Sequence, residues 1–290
     1  MSATRALMAG MIDYAGLFPP AALDMKTVVR MYSEYASGQE GWALGRLIVP
    51  ASRLGEFTDV FNDVCCDERE KAWLLSVIGS DDPAQNAAQI NAFTQGAVLV
   101  DTLELKATDA ASAERLLTGL PDGVIPYVEF APEKASEMVP VLARHGALAK
   151  IRMGGLTPDS FPDPVTVARF LIACADSQIA FKATAGLHHA VRGEYELDDV
   201  SEDTMVTMHG FMNVFLAAAL AWLGKEEEAI VATLEEESPM IFKVTEENIR
   251  WHTNALTTSQ IGTMRRDFGI EFGSCSFTEP IEELKALGWL

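Results

Sequence analysis

Residues 124–153 read VIPYVEFAPEKASEMVPVLARHGALAKIRM, and this stretch decides the fold. Val124 to Phe130 is a short apolar run rich in β-formers. Pro132-Glu133 open an amphipathic segment from Lys134 to Arg144, Gly146 closes it, and Leu148 to Met153 is apolar again. Strand, helix and strand over about 30 residues form a βαβ unit, which demands two parallel strands.

The same alternation extends in both directions. Leu47-Ile48-Val49, Trp73 to Ile78, Ala97 to Leu105 and Ile179 to Thr184 are further β-rich runs, with centres every 23 to 30 residues or so. Asp82-Pro83 opens a helix over Ala84 to Gln95 and Asp109 one over Ala110 to Leu117, with Gly96 and Gly119 as closing residues. Met11 to Leu17 supplies a first strand, a helix follows near Lys26 to Tyr35, and Gly269 to Phe277 is the last strand. Eight strands predict a (β/α)8 barrel, a single domain over residues 1–290 with a helical, acidic excursion at about 190–240. The alternative is an open doubly wound sheet, which lacks its usual G-x-G-x-x-G fingerprint here.

The excursion reads as an acidic, solvated loop from Glu194 to Asp203, a helix near Met205 to Leu223 and another at Lys225 to Glu236. Ile241 to Val244 is a short apolar run, and Thr245-Glu246-Glu247 starts a long helix. Phe211 to Leu223 is too short to span a bilayer and reads as a buried or interface helix, which leaves a homo-oligomer open.

Composition narrows the function classes. A formal charge of −20 disfavours nucleic acid and anionic membrane surfaces, both of which are held by clustered Lys and Arg. The four cysteines, Cys65, Cys66, Cys174 and Cys275, have no C-x-x-C spacing, and no signal-peptide apolar region is evident. A cytoplasmic protein fits.

Parallel strands covered on both faces read as apolar, so charges inside them require partners or a use. Thr102 and Glu104 share one face, as do Tyr127 and Glu129, Lys150 and Arg152, and Lys182 and Thr184. In a barrel such faces point inward, and active sites lie at the C-terminal ends of the strands. Lys182, beside Lys150 and Arg152, is expected to have a depressed pKa and to attack a carbonyl as a neutral amine. Glu104 and Glu129 would move protons, Lys150 would tune the amine, and Arg152 would hold a substrate carboxylate or phosphate. His188 serves as an acid or base. His189, Asp13, Thr184, the turn Gly154-Gly155 and Ser274 complete the expected substrate contacts, with Thr278 and Pro280 starting the final helix.

Lys182 followed by Ala-Thr-Ala-Gly resembles the lysine-bearing strand of class I, Schiff-base aldolases of the deoxyribose-phosphate type. His188 and His189 are departures from that motif, and the resemblance covers about five residues. It implies a carbon-carbon lyase acting on a small anionic carbonyl compound through a lysine Schiff base, with no cofactor. A second reading is an isomerase or hydrolase holding a divalent metal through Glu129 or Glu104 and His188, His189 or His209. A third is a non-catalytic barrel with structural ion pairs whose acidic helices bind a protein partner.

Overall fold

The computed structural model describes residues 2–64, 72–93, 96–197 and 204–290; Cys65, Cys66 and the tip of the acidic stretch, residues 198–203, lie outside them. Eight strands close into a parallel barrel: β1 (Ile12–Tyr14), β2 (Leu44–Pro50), β3 (Trp73–Ile78), β4 (Val98–Lys106), β5 (Ile125–Glu129), β6 (Leu148–Arg152), β7 (Phe181–Thr184) and β13 (Gly269–Ser274). Closure between β1 and β13 excludes the open sheet.

Around the barrel run α1 (Ala3–Met8), α2 (Met25–Ser37), α3 (Leu54–Val64), α4 (Pro83–Ala92), α5 (Ala110–Leu116), α6 (Ala135–His145) and α7 (Pro164–Asp176). Their starts are chemically marked. Asp24, Asp82, Asp109 and Asp163 each accept from a backbone N–H of the first turn, and Pro83 and Pro164 occupy positions that need no donor. Gly146, with φ at 64°, ends α6 in the left-handed conformation that favours glycine. The helix from Asp82 is shorter than the sequence suggested, stopping at Ala92 before Gly96.

The chain departs most from expectation between β7 and β13. Met205 to Leu223 is not one helix. Met205–Met208 is strand β9, paired antiparallel with β8 (Gly193–Glu196), and α8 (Phe211–Trp222) follows. The apolar length of α8 masked a separate two-residue alternation before it. The acidic stretch is therefore half hairpin and not simply a loop, since Glu194 and Glu196 lie in β8 and point outward. After α9 (Glu227–Glu235), the segment expected to be a long helix from Thr245 is a small antiparallel sheet of β10 (Phe242–Val244), β11 (Asn248–Trp251) and β12 (Asn254–Thr257). The helix there, α10 (Thr258–Asp267), starts later under a capping box from Thr257 and Gln260.

Barrel strands bury one face against helices through Ala149, Ile151, Phe181 and Ala183, all inaccessible to water. The other face points inward and carries the charges. α8 is buried from Phe211 to Ala221, so it is part of the core and not an outer surface. Among the described residues no helix is long and apolar enough to cross a membrane.

Candidate active site

Five strands bring charged side chains together inside the barrel. Lys182 on β7 stands beside Lys150 on β6 and Glu271 on β13, while β4 and β1 bring Glu104 and Asp13 across the barrel. Lys182 Nζ is 2.6 Å from Asp13 Oδ2, 2.7 Å from Glu104 Oε1 and 3.4 Å from Glu271 Oε1, with no exposure to water. Its ammonium also lies 5.3 Å from the centre of the Tyr127 ring.

These partners overturn the expectation of a neutral Lys182. Burial alone would favour the uncharged amine, but Asp13, Glu104 and Glu271 outweigh it and push Lys182 well above the ordinary lysine range. Lys182 is a fixed cation beneath the mouth. Asp13, expected at that mouth, is fully buried; its Oδ1 accepts from the Arg46 backbone N–H at 2.6 Å. Burial, with the adjacent Glu271, raises Asp13 to about 7, against the pull of Lys182 and Arg46.

Lys150 occupies the place foreseen for Lys182. It lines a cavity of about 370 Å³ at the C-terminal ends of the strands, together with Glu104, Glu129, Arg152 and Thr184. Lys150 Nζ is 2.7 Å from Glu104 Oε2 and 3.0 Å from Glu129 Oε2. Glu104 thus bridges the two lysines, and Ser76 Oγ donates to it at 2.6 Å. Burial resists its ionisation, yet Lys150 and Lys182 hold its carboxyl well below the usual range. Glu129 is displaced the same way: burial opposes ionisation, and Lys150 and Arg152 outweigh it.

Arg152 Nε donates to Glu129 Oε1 at 3.2 Å, and its side chain is 48% exposed. The rest of its donor fork makes no hydrogen bond among the described residues. Below, Arg46 pairs with Asp101 through two bonds of 2.7 and 2.8 Å and with Glu271. Arg46, Asp101, Ser76 and Glu271 were missed in the sequence. For Glu271 the signal was present, because it lies two residues before Gly273 on an otherwise apolar strand.

The remaining expected residues divide. His188 and Ser274 line the cavity, and His188 Nδ1 is 3.0 Å from Glu279 Oε2 on α11 (Thr278–Ala286). His189 does not; it stacks on Tyr195 with ring centres 3.4 Å apart and meets Glu283 at 3.5 Å. Of the turn after β6, Gly155 lines the cavity, while Gly154 packs against the loop after β7. A Cβ on Gly154 would lie 2.8 Å from the Gly186 Cα, so glycine serves close approach of two loops and not anion contact. Thr278 begins α11 without capping it; Ser276 Oγ accepts from the Glu279 backbone N–H instead.

The residues suggested for a metal do not converge. Glu129 is engaged by Lys150 and Arg152, and both histidines by glutamates of α11. His209 is buried, with Nε2 2.7 Å from the Pro162 carbonyl oxygen, and burial lowers it to about 4. Among the described residues no group of three or more His, Cys, Asp or Glu could hold a metal ion.

A solved structure of deoxyribose phosphate aldolase from Aeropyrum pernix superposes with a TM-score of 0.52 over 98% of this chain and 97% of that one, at 13% identity. The likeness is one of fold. No protein-family model matches the sequence, and no curated protein matches it either. The shared feature is the closed parallel barrel, and the residues must carry the chemistry.

Proposed function

We propose that the protein is a carbon-carbon lyase that forms a Schiff base between a small anionic carbonyl compound and Lys150. The observation that carries this reading is the contrast between the two lysines: Lys150 faces the cavity and Lys182 is sealed beneath it. The aldolase fold of the structural neighbour supports it.

Glu129, 3.0 Å from Lys150 Nζ, accepts the ammonium proton as substrate enters. The freed amine attacks the carbonyl carbon, forming a C–N bond, and the carbonyl oxygen leaves as water after taking up two protons. The resulting iminium withdraws electrons. A base removes the proton from the β-hydroxyl, the C–C bond breaks, and its electron pair enters the iminium to give an enamine and an aldehyde. Protonation of the enamine carbon and addition of water release the second product and restore Lys150. His188 at the cavity wall is the candidate for the β-hydroxyl proton, and Arg152 for the substrate anion.

Lys182 stays protonated beside this amine, and Glu104 contacts both lysines. Borohydride trapping with 2-oxo acids and 2-deoxyribose 5-phosphate, followed by peptide mass mapping, tests the assignment. The adduct is expected on Lys150 and absent in Lys150→Met; an adduct on Lys182, or none with any compound, would remove it. The aldolase from Aeropyrum pernix is a tetramer, and a homo-oligomer is part of the same proposal.

A further inference from the structure

The cavity lining mixes charged and apolar side chains. Its charged residues come from β4, β5 and β6. Much of the rest, beside Thr184, His188, Ser274 and Cys275, is apolar: Phe18 from the loop after β1, Ile48 and Ile78 from β2 and β3, Phe161 from the loop after β6, and Leu197 and Met208 from the hairpin. A substrate rich in hydroxyl groups would leave those groups without partners against this wall.

Apart from Phe18, these apolar side chains lie outside the barrel core. Ile48 is 2% exposed but packs with neither hydrophobic cluster, so its side chain is turned to the cavity. Leu197, Val206 and Met208 form a cluster of their own, backed by Phe161 and Tyr195 and separate from the barrel core. The hairpin that supplies it is an addition to the repeating strand-helix pattern. Gly273 adds room, since a Cβ there would stand 3.0 Å from Ile48 Cδ1 and 3.3 Å from Thr184 Oγ1.

Size agrees. About 370 Å³ holds roughly a dozen non-hydrogen atoms at the ~30 Å³ that liquid water takes per molecule. A 2-oxo acid head occupies about half of that, leaving space for a tail of about six atoms. With the carboxylate on Arg152 and the carbonyl carbon at Lys150, the head takes up charged lining and the apolar side chains are left for the tail.

We infer that the substrate is a 4-hydroxy-2-oxo acid whose distal substituent is an apolar chain or ring, and not a sugar phosphate. This rests on the Schiff-base reading for its head group only; the apolar wall argues for the tail independently.

The test is calorimetric binding of pyruvate, 2-oxobutanoate, 2-oxohexanoate, phenylpyruvate and 2-deoxyribose 5-phosphate, with borohydride trapping run in parallel on the same samples. Each added methylene is expected to tighten binding about three- to fourfold, from its transfer free energy. Leu197→Ser and Phe161→Ser, checked for folding by circular dichroism, are expected to flatten the series. Equal affinity across the oxo acids, or tightest binding of 2-deoxyribose 5-phosphate, overturns the inference. Tail-dependent binding without any lysine adduct would leave the apolar tail standing and remove the Schiff base together with the head group that rests on it. An adduct on Lys150 with no tail dependence would do the reverse.

Discussion

At the scale of single residues, the two lysines show how far charge patterns can be read. That both point into the barrel followed from two-residue periodicity, and so did the inward face of Glu104, Glu129 and Arg152. Depth did not follow. Barrel strands are tilted, so residues side by side in the hydrogen-bond register sit at different heights along the axis. Lys150 and Lys182 are such a pair, and only the three-dimensional arrangement tells which reaches the cavity. Asp13 was misplaced for the same reason. Lys182→Met strands Asp13, Glu104 and Glu271 without their shared cation. A loss of about 3–5 kcal/mol at pH 7 is expected, shrinking in acid as Asp13 takes up its proton. Urea unfolding at two pH values reads both effects.

At the scale of elements, β2 to β7 were legible to within a few residues because a buried parallel strand is an apolar run of fixed length, and three of the crossover helices, α4, α5 and α7, start at an aspartate cap. The hairpin and the three-stranded sheet were not. Their strands are only three or four residues long, too short for alternation to outweigh the helix-like run beside them. What joins elements at the mouth is equally hidden: the loops after β6 and β7 touch through Gly154 and Gly186. Gly154→Ala would bring a Cβ to 2.5 Å from the Phe161 ring and 2.8 Å from backbone at Gly186. The backbone side cannot yield as a flexible side chain would. A destabilisation of about 1–3 kcal/mol is expected, visible as a lowered Tm in a thermal melt.

At the scale of the whole molecule, two buried groups oppose each other in their response to pH. Asp13, raised to about 7, contributes stability that is present below its unfolded value near 4 and is lost as pH rises through 7. His209, lowered to about 4, contributes stability that is present above its unfolded value near 6.5 and is lost as pH falls through 4. Between pH 4 and 6.5 the two slopes cancel, so the contribution of this pair is nearly flat. Asp13→Asn removes one slope, and stability should then fall on acidification by up to about 1.4 kcal/mol per pH unit. Urea midpoints measured across that window are the check; a curve that does not tilt would disprove the opposition. The interior pairs also fix where the surplus charge resides. Asp13, Asp101, Glu104, Glu129 and Glu271 are set against Arg46, Lys150, Arg152 and Lys182, so nearly all of the formal −20 belongs to the outer shell. An anion diffusing inward therefore meets repulsion first and finds attraction near Arg152 and Lys106 at the rim. Dissolved ions screen the long-range field over about 8–10 Å but do not penetrate the packed interior. Ionic strength should accordingly hasten the encounter, the reverse of an enzyme that steers its ligand by net charge.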